Sequence, residues 1–387
     1  MANPPDICIR GAGIVGRTLA LLLARERLNV ALVEAPTPAA TADVRAYSLN
    51  GAAMALLQDL RCWPDSPAVT PVHQMQVWGD HGGQLNFGAT EQGVDELNWM
   101  VDVPVLEERL AAAVKFQPQI EVVQAPLAAP LTVVCEGRAS QTRAELGVGF
   151  DITHYEQHAV ATRLVCEQAH QGIARQWFGW GQVPGLSQPQ AEILALLPLG
   201  GEGGHEVALV WSVHSLRAQA LMSLDSEDFA AELGQACSLA LGRMSLSAVR
   251  AVWPLQLARA ERWIGAMPGT TKQSFALAGD AAHALHPLAG QGLNVGLADV
   301  AELVRVIKAK EFWRPLNDLK LLRRYERARQ ADVQAMGLVT DGLQRLFAQP
   351  SPLWQNLRNW GMRGFDRSGP LKNWMTQQAM GQSPGSR

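Results

Sequence analysis

The chain has 387 residues, of which 48% are hydrophobic and 18% charged, with a formal charge of −3. A length beyond one simple core predicts two closely packed domains in a folded, soluble protein. The lack of a basic excess disfavours nucleic acid as a partner, and no apolar run reaches the 18 residues of a spanning helix. The five scattered cysteines (Cys8, Cys62, Cys135, Cys166, Cys237) contain no Cys-x-x-Cys pair. They suit a reducing compartment and speak against a disulfide framework or a zinc site. With no signal-peptide pattern at the N-terminus, a cytoplasmic location is expected.

Asp6–Arg10 reads as a strand, followed by Gly11-Ala12-Gly13-Ile14-Val15-Gly16, a helical run Arg17–Arg27 and a second strand Asn29–Val33. This is a dinucleotide fingerprint in its proper setting. The first glycine makes the turn, the second lets the backbone approach a pyrophosphate, and the third lets helix and strand pack. Glu34 stands 18 residues beyond Gly16, where an acid holds ribose hydroxyls. Arg10 abuts this loop and either reaches the phosphates or snorkels to solvent.

Residues 35–43 read as a loop, and Asp43–Leu49 as the opening of a helix. Val72–Phe87, with Gly82-Gly83, predicts a hairpin. Pro104–Val114 is helical, with Leu106 and Leu110 on one face. Residues 116–143 have room for only two short strands, Ile120–Gln124 and Leu131–Val134, and the second runs into Cys135-Glu136-Gly137-Arg138-Ala139-Ser140. Further strands are expected at Ala159–Cys166, Ala191–Pro198, Val207–Val213 and Ala251–Leu255, with a helix over Ser226–Leu241. Together they predict a mostly antiparallel sheet.

The most specific stretch spans residues 275–300. Phe275–Ala278 is a short buried strand, Gly279-Asp280 ends it, and Pro287 and Gly290-Gln291-Gly292 form a turn. A helix runs from Leu293 to about Lys310. A glycine-rich turn feeding a helix offers free N–H groups and the positive end of a dipole to an anion. Leu321–Phe347 is a long helix or helix pair, and the segment beyond Ser351 interleaves tryptophans with Arg and Lys.

These motifs resemble those of the FAD-dependent aromatic hydroxylases, the group A flavoprotein monooxygenases. The version His286-Pro287-Leu288-Ala289-Gly290-Gln291-Gly292-Leu293-Asn294 is similar to that of the ubiquinone-biosynthesis hydroxylases. The resemblance implies an α/β, Rossmann-like FAD-binding domain of the para-hydroxybenzoate hydroxylase type and an α+β substrate domain on a mostly antiparallel sheet. FAD binding is expected over 1–70, 101–150 and 266–345, the substrate domain over 71–100 and 151–265, and an amphipathic tail over 346–387. The implied cofactor residues are Gly11, Gly13, Gly16, Glu34, Arg45, Arg109, Gly279, Asp280, Pro287, Gly290, Gln291, Gly292, Leu293 and Asn294. Arg45 enters through an Asp-x-Arg-x-x-x-Leu element, and Asp280 as the acid placed on the flavin ribityl chain. His286 is the candidate for polarising a phenol hydroxyl, and Pro287 for shaping the oxygen pocket.

What the family implies is hydroxylation of a prenylated phenol or quinol in ubiquinone biosynthesis. NAD(P)H reduces FAD, and O2 then gives a flavin C4a-hydroperoxide that attacks the ring. Partners would be that apolar substrate, a quinone-biosynthesis complex and, through the basic tail, the inner membrane surface. The chain departs from the family pattern where Glu136 replaces an Asp and where a three-stranded meander is missing, which bears on reductant use and FAD affinity. Glu136 reads equally as a turn residue. The rival readings are another flavin-dependent oxidoreductase on this fold and a non-catalytic FAD-binding scaffold.

Overall fold

The computed structural model describes residues 4–35, 44–79, 83–284 and 292–348, with 335–348 as backbone only. β1 (Ile7–Arg10), α1 (Ile14–Arg25) and β2 (Val30–Val33) form a βαβ unit in which Ile7 pairs with Val30 in parallel. Apart from Arg10, both strands are apolar and buried, as strands covered on two faces must be. α1 starts three residues earlier than the periodicity predicts, because Gly13 is its N-cap. Past its end, Arg27 takes a left-handed conformation (φ 61°) and turns the chain towards β2.

Next come β3 (Ala46–Leu49), α2 (Gly51–Asp59), β4 (Val69–Val72), β5 (Gln74–Trp78), β6 (Gln84–Gly88), β7 (Asn98–Asp102) and α3 (Val103–Lys115). The helix expected over Asp43–Leu49 is instead β3, paired antiparallel with β7. Pairing with β7 holds these residues extended, and helix begins only after Asn50, whose side chain accepts the Ala53 N–H at 2.9 Å. β4 completes a three-stranded sheet with β7, while β5 and β6 form the expected hairpin.

β8 (Ile120–Val123) and β9 (Leu131–Val134) join the first sheet on opposite sides of the β1–β2 pair, and the short helix α4 (Gln141–Glu145) follows. The link 124–130 crosses three strand spacings, roughly 14 Å, which a few extended residues cover. Among the described residues no meander intervenes. The region is as short as its sequence predicts.

β10 (Phe150–Cys166), β11 (Ile173–Gly181), β12 (Gln190–Pro198) and β13 (Glu206–His214) build the large second sheet. α5 (Ser215–Ser223) and α6 (Ser226–Ala236) cover one of its faces, burying Trp211, Phe229 and Leu233. α6 stops five residues short of the expected Leu241, because Ser238 and Leu239 both adopt left-handed backbone. β14 (Met244–Leu246) and β15 (Ala251–Ala260) complete this part of the chain.

β16 (Ile264–Ala266) and β17 (Ser274–Leu277) return to the first sheet, giving the order β16-β17-β9-β1-β2-β8. β18 (His283–Ala284) caps the second, ordered β18-β15-β10-β13-β12-β11-β5-β6 with β14 on β10. Its pairings are antiparallel except β11 with β5. α7 (Gly292–Lys308) and α8 (Leu319–Ala348) close the described chain. The main core gathers both faces of the six-stranded sheet with α1, α3, α7 and α8. Among the described residues no helix is long and apolar enough to cross a membrane.

Candidate functional site

The carboxyl ends of β1, β9 and β17 and the uncovered face of the nine-stranded sheet enclose a cavity of about 700 Å³. Three glycines shape its first wall in different ways. Gly11 has φ 111°, and a Cβ there would lie 2.6 Å from the Cys135 carbonyl oxygen. A Cβ at Gly16 would overlap the Gly11 carbonyl itself. At Gly13 a Cβ would meet nothing within 4 Å, because that position opens into the cavity. α1 begins there with no side-chain cap and no acid in its first turn. Its leading N–H groups therefore face the cavity as an anion cradle. Crowding at Gly11 and Gly16 with open space at Gly13 fits the diphosphate of FAD.

Gly279 (φ 61°) turns the chain out of β17 and sets Asp280 at the cavity wall. Asp280 is accessible from the cavity, yet the surrounding protein still pushes its carboxyl pKa up, against the opposing pull of His283, Arg138 and Arg45. Gly292 and Leu293, the first residues of α7, line the same wall, as does Arg45, which donates to the Tyr47 hydroxyl at 3.2 Å. Asn294 lies behind the wall. Its Nδ2 donates to the Ser48 carbonyl (2.7 Å) and its Oδ1 accepts the Asn50 N–H (3.0 Å), so it straps β3 to α7.

Two predicted cofactor residues lie off this wall. Glu34 is ion-paired with Arg17 at 2.5 Å, and Arg109 with Asp65 across the exposed side of α3. His286, Pro287, Gly290, Gln291 and the tail 349–387 lie outside the described residues.

Glu136 closes a turn. Its carboxylate accepts Ser140 Oγ (2.7 Å), the Thr142 N–H (3.1 Å) and Thr142 Oγ1, and lies 3.3 Å from Arg10 Nε. Arg10 also donates to Glu145, so it serves this node. Arg143 stacks on Phe150 at 3.4 Å and donates to the Ala281 carbonyl at 3.1 Å, tying the Glu136 turn to the Asp280 turn. Gly137 and Arg138, next along, line the cavity.

The opposite wall is a floor of short side chains. Gln176, Ala195, Val210 and Ala161 stand opposite one another on successive strands and point the same way. Ile193 and Ser212 form part of the next row. The floor is therefore low at its alanines and rimmed by Ile193, Leu197 and Trp253. Arg175 in this wall donates to the carbonyls of His170 and Ile173. Asn98 lines the cavity too, and its buried Oδ1 has no partner among the described residues. Such an acceptor suits an O–H donor on a bound molecule.

Residues 174–176 and 253–256 line the cavity in runs, but Trp177 and Trp211 do not. Trp211 is buried on the far face, donating to Glu192 at 3.0 Å, and Trp177 stacks on Trp78 at 4.8 Å. Asn98 and Gln176 carry no local sequence signal of their place at the cavity. Asp299 does carry a signal: an acid at a core position of α7, between Leu297 and Val300, must have partners.

Residues 88–337 match the family model of the FAD binding domain. Ubiquinone hydroxylase UbiL of Rhodospirillum rubrum is 30% identical, over 97% of this chain and 89% of that protein. The 3-demethoxyubiquinol 3-hydroxylase of Escherichia coli is 28% identical, over 98% and 99%. Among solved structures, p-nitrophenol 4-monooxygenase PnpA from Pseudomonas putida superposes with a TM-score of 0.74 at 15% identity, covering 100% of both chains. That likeness shows the fold. With the FAD family model spanning both halves of the cavity and relatives matched almost end to end, the chain belongs to the FAD-dependent aromatic hydroxylases of the ubiquinone-biosynthesis family.

Proposed function

We propose that this FAD-dependent monooxygenase hydroxylates the aromatic ring of a prenylated phenol or quinol in ubiquinone biosynthesis. The observation that carries the reading is the single cavity with a dinucleotide turn on one wall and a low, apolar floor on the other. Bound FAD, reduced by NAD(P)H, would supply the oxygen-transfer chemistry.

The chain's own residues bind, orient and keep water out. The Gly13 backbone and the start of α1 would hold the diphosphate, with Glu34 at the adenosine ribose. Asp280 would accept from the ribityl hydroxyls, and the positive end of α7 at Gly292 would stabilise charge on the reduced ring. The floor of Ala161, Ala195 and Val210 would take the flat ring and its apolar tail. Asn98 Oδ1 would accept the phenolic O–H and so fix which ring edge faces the flavin. Met75, Met100, Trp253 and Leu255 wall this space with apolar surface and keep it dry. Arg175 is committed to backbone carbonyls, in keeping with a substrate that lacks a carboxylate. Peripheral membrane contact and a quinone-biosynthesis complex belong to the same proposal and are assigned to the tail.

The test is NAD(P)H oxidation by the FAD-loaded protein with and without a prenylphenol, together with mass spectrometry of the product. Stimulated oxidation and one added oxygen are expected. Ala195→Phe should retain FAD and weaken coupling, because the added ring fills the floor. A flavin-loaded protein that neither responds to nor hydroxylates any prenylphenol would replace this reading with the scaffold reading.

A further inference from the structure

Asp299 lies on α7 with no exposed surface, beneath the Gly279–Asp280 turn. Its Oδ2 accepts the Gly279 N–H at 2.9 Å and His283 Nε2–H at 2.7 Å. Its Oδ1 accepts Arg329 Nε–H from α8 at 2.8 Å. Burial alone would push this carboxyl up, but His283 and Arg329 outweigh it and hold the pKa below the ordinary range. The group is therefore a buried carboxylate with three charge-compatible donors, and removing one partner strands the others.

The three donors come from three elements: the turn after β17, the short strand β18, and α8. One side chain thus sets the turn's position relative to two helices. Gly279 sits in left-handed backbone directly before Asp280, so pinning its N–H fixes where the next carboxylate stands. The surroundings hold the brace still. Trp263 packs against His283 at 4.9 Å, Glu326 accepts the Trp263 N–H at 2.8 Å, and Tyr325 donates to the Leu277 carbonyl at 2.7 Å. These contacts also account for the run Arg323-Arg324-Tyr325-Glu326-Arg327-Ala328-Arg329. Its inward residues grip the base of the cofactor turn.

We infer that Asp299, braced by Arg329 and His283, is a positioning residue for the cofactor: it holds the Asp280 carboxylate at the height at which it meets the ribityl hydroxyls of FAD. The inference rests on the FAD reading of the cavity. It makes α8, none of whose described side chains lines the cavity, part of the binding site.

The experiment uses the full chain and measures the FAD dissociation constant by flavin fluorescence, the visible spectrum of bound flavin, and the Tm of the apoprotein. Asp299→Asn keeps the shape and removes the charge. Arg329→Gln leaves the carboxylate with two donors. Phe229→Leu loosens the separate core behind the second sheet, where the ring packs on Trp211, and serves as the control for simple loss of stability. Asp299→Asn is expected to weaken FAD binding about tenfold or more, the scale of one charge-assisted hydrogen bond, and to alter the bound-flavin spectrum. Arg329→Gln should weaken binding about fivefold, by the same reasoning on a partly kept brace. Phe229→Leu should lower Tm while leaving FAD affinity within about twofold, since it keeps every contact of the brace.

If FAD affinity merely tracks Tm across the three variants, or Asp299→Asn binds FAD like the parent, the positioning role is overturned. Should Asp299→Asn not fold, Arg329→Gln against Phe229→Leu decides by the same comparison. A parent protein that binds no FAD would overturn the FAD reading itself, an outcome separable from failure of the brace.

Discussion

Gly13→Ala and Gly16→Ala separate binding from folding within four residues of chain. Gly13 has φ −77° and ψ −172°, ordinary extended backbone for alanine, and the new methyl would meet nothing within 4 Å. Alanine caps a helix less well than glycine, by up to about 1 kcal/mol, but it also restricts the unfolded chain, a gain of about 0.4–1 kcal/mol. The net change in apoprotein stability should stay within about 1 kcal/mol, or at most about 3 °C in Tm. FAD binding should suffer far more, because the methyl stands where the diphosphate meets the helix N–H groups. Losing one such charge-assisted bond, about 1.5–3 kcal/mol, weakens affinity roughly tenfold to a hundredfold.

Gly16→Ala has the opposite profile. Helix propensity alone predicts a gain of about 1 kcal/mol, yet the methyl would overlap the Gly11 carbonyl oxygen, which is backbone and cannot swing away. Overpacking of about 1–3 kcal/mol reverses the sign, and the apoprotein itself should lose Tm. Thermal unfolding of both apoproteins and a fluorescence titration with FAD check the pair. A Gly13→Ala variant that binds FAD like the parent, or one that loses as much stability as Gly16→Ala, would refute the cradle.

Two further outcomes follow from burial. Glu192 is enclosed beside Trp211 and Arg217, and burial raises its pKa above 4.5 despite both partners. The folded state then holds this proton more tightly than the unfolded chain. The resulting stability is present below pH 4.5 and is lost as pH rises through the folded value. Glu192→Gln should flatten the apoprotein stability profile just above pH 4.5, by up to about 1.4 kcal/mol per pH unit; an unchanged slope in urea titrations would refute it. All five cysteines are buried, and burial pushes their thiols up, Cys166 to about 11. A thiol reagent at pH 8 should label none of them rapidly until denaturant is added, so a fast-reacting thiol in the native protein would contradict the packing.

Much of the cofactor half was legible residue by residue. Gly11, Gly13 and Gly16 sit between an apolar strand and an apolar helix, and Gly279-Asp280 ends another strand; each signal needs only neighbours along the chain. Local backbone demands are written locally, since only glycine takes φ 111° or φ 61° at low cost. The strand at Ala46–Leu49 was not legible, because its extended state depends on pairing with Asn98–Asp102, about fifty residues on. Glu34 and Arg109 stand out by position along the chain, and only tertiary structure shows that Arg17 and Asp65 are their ion-pair partners.

The cavity floor shows the same division. Strand periodicity marks alternate residues of β10, β12 and β13, but which set faces the cavity depends on where α5 and α6 lie. That choice put Trp211 in the core and Ser212 at the site. Likewise Asp299 has partners 16, 20 and 30 residues away on three elements. Sequence alone determined the chemistry this protein offers, because turns, caps and glycine positions answer to adjacent residues. Tertiary structure alone decided which polar groups face the cavity and which brace the fold, because desolvation and hydrogen bonding depend on neighbours that only packing supplies.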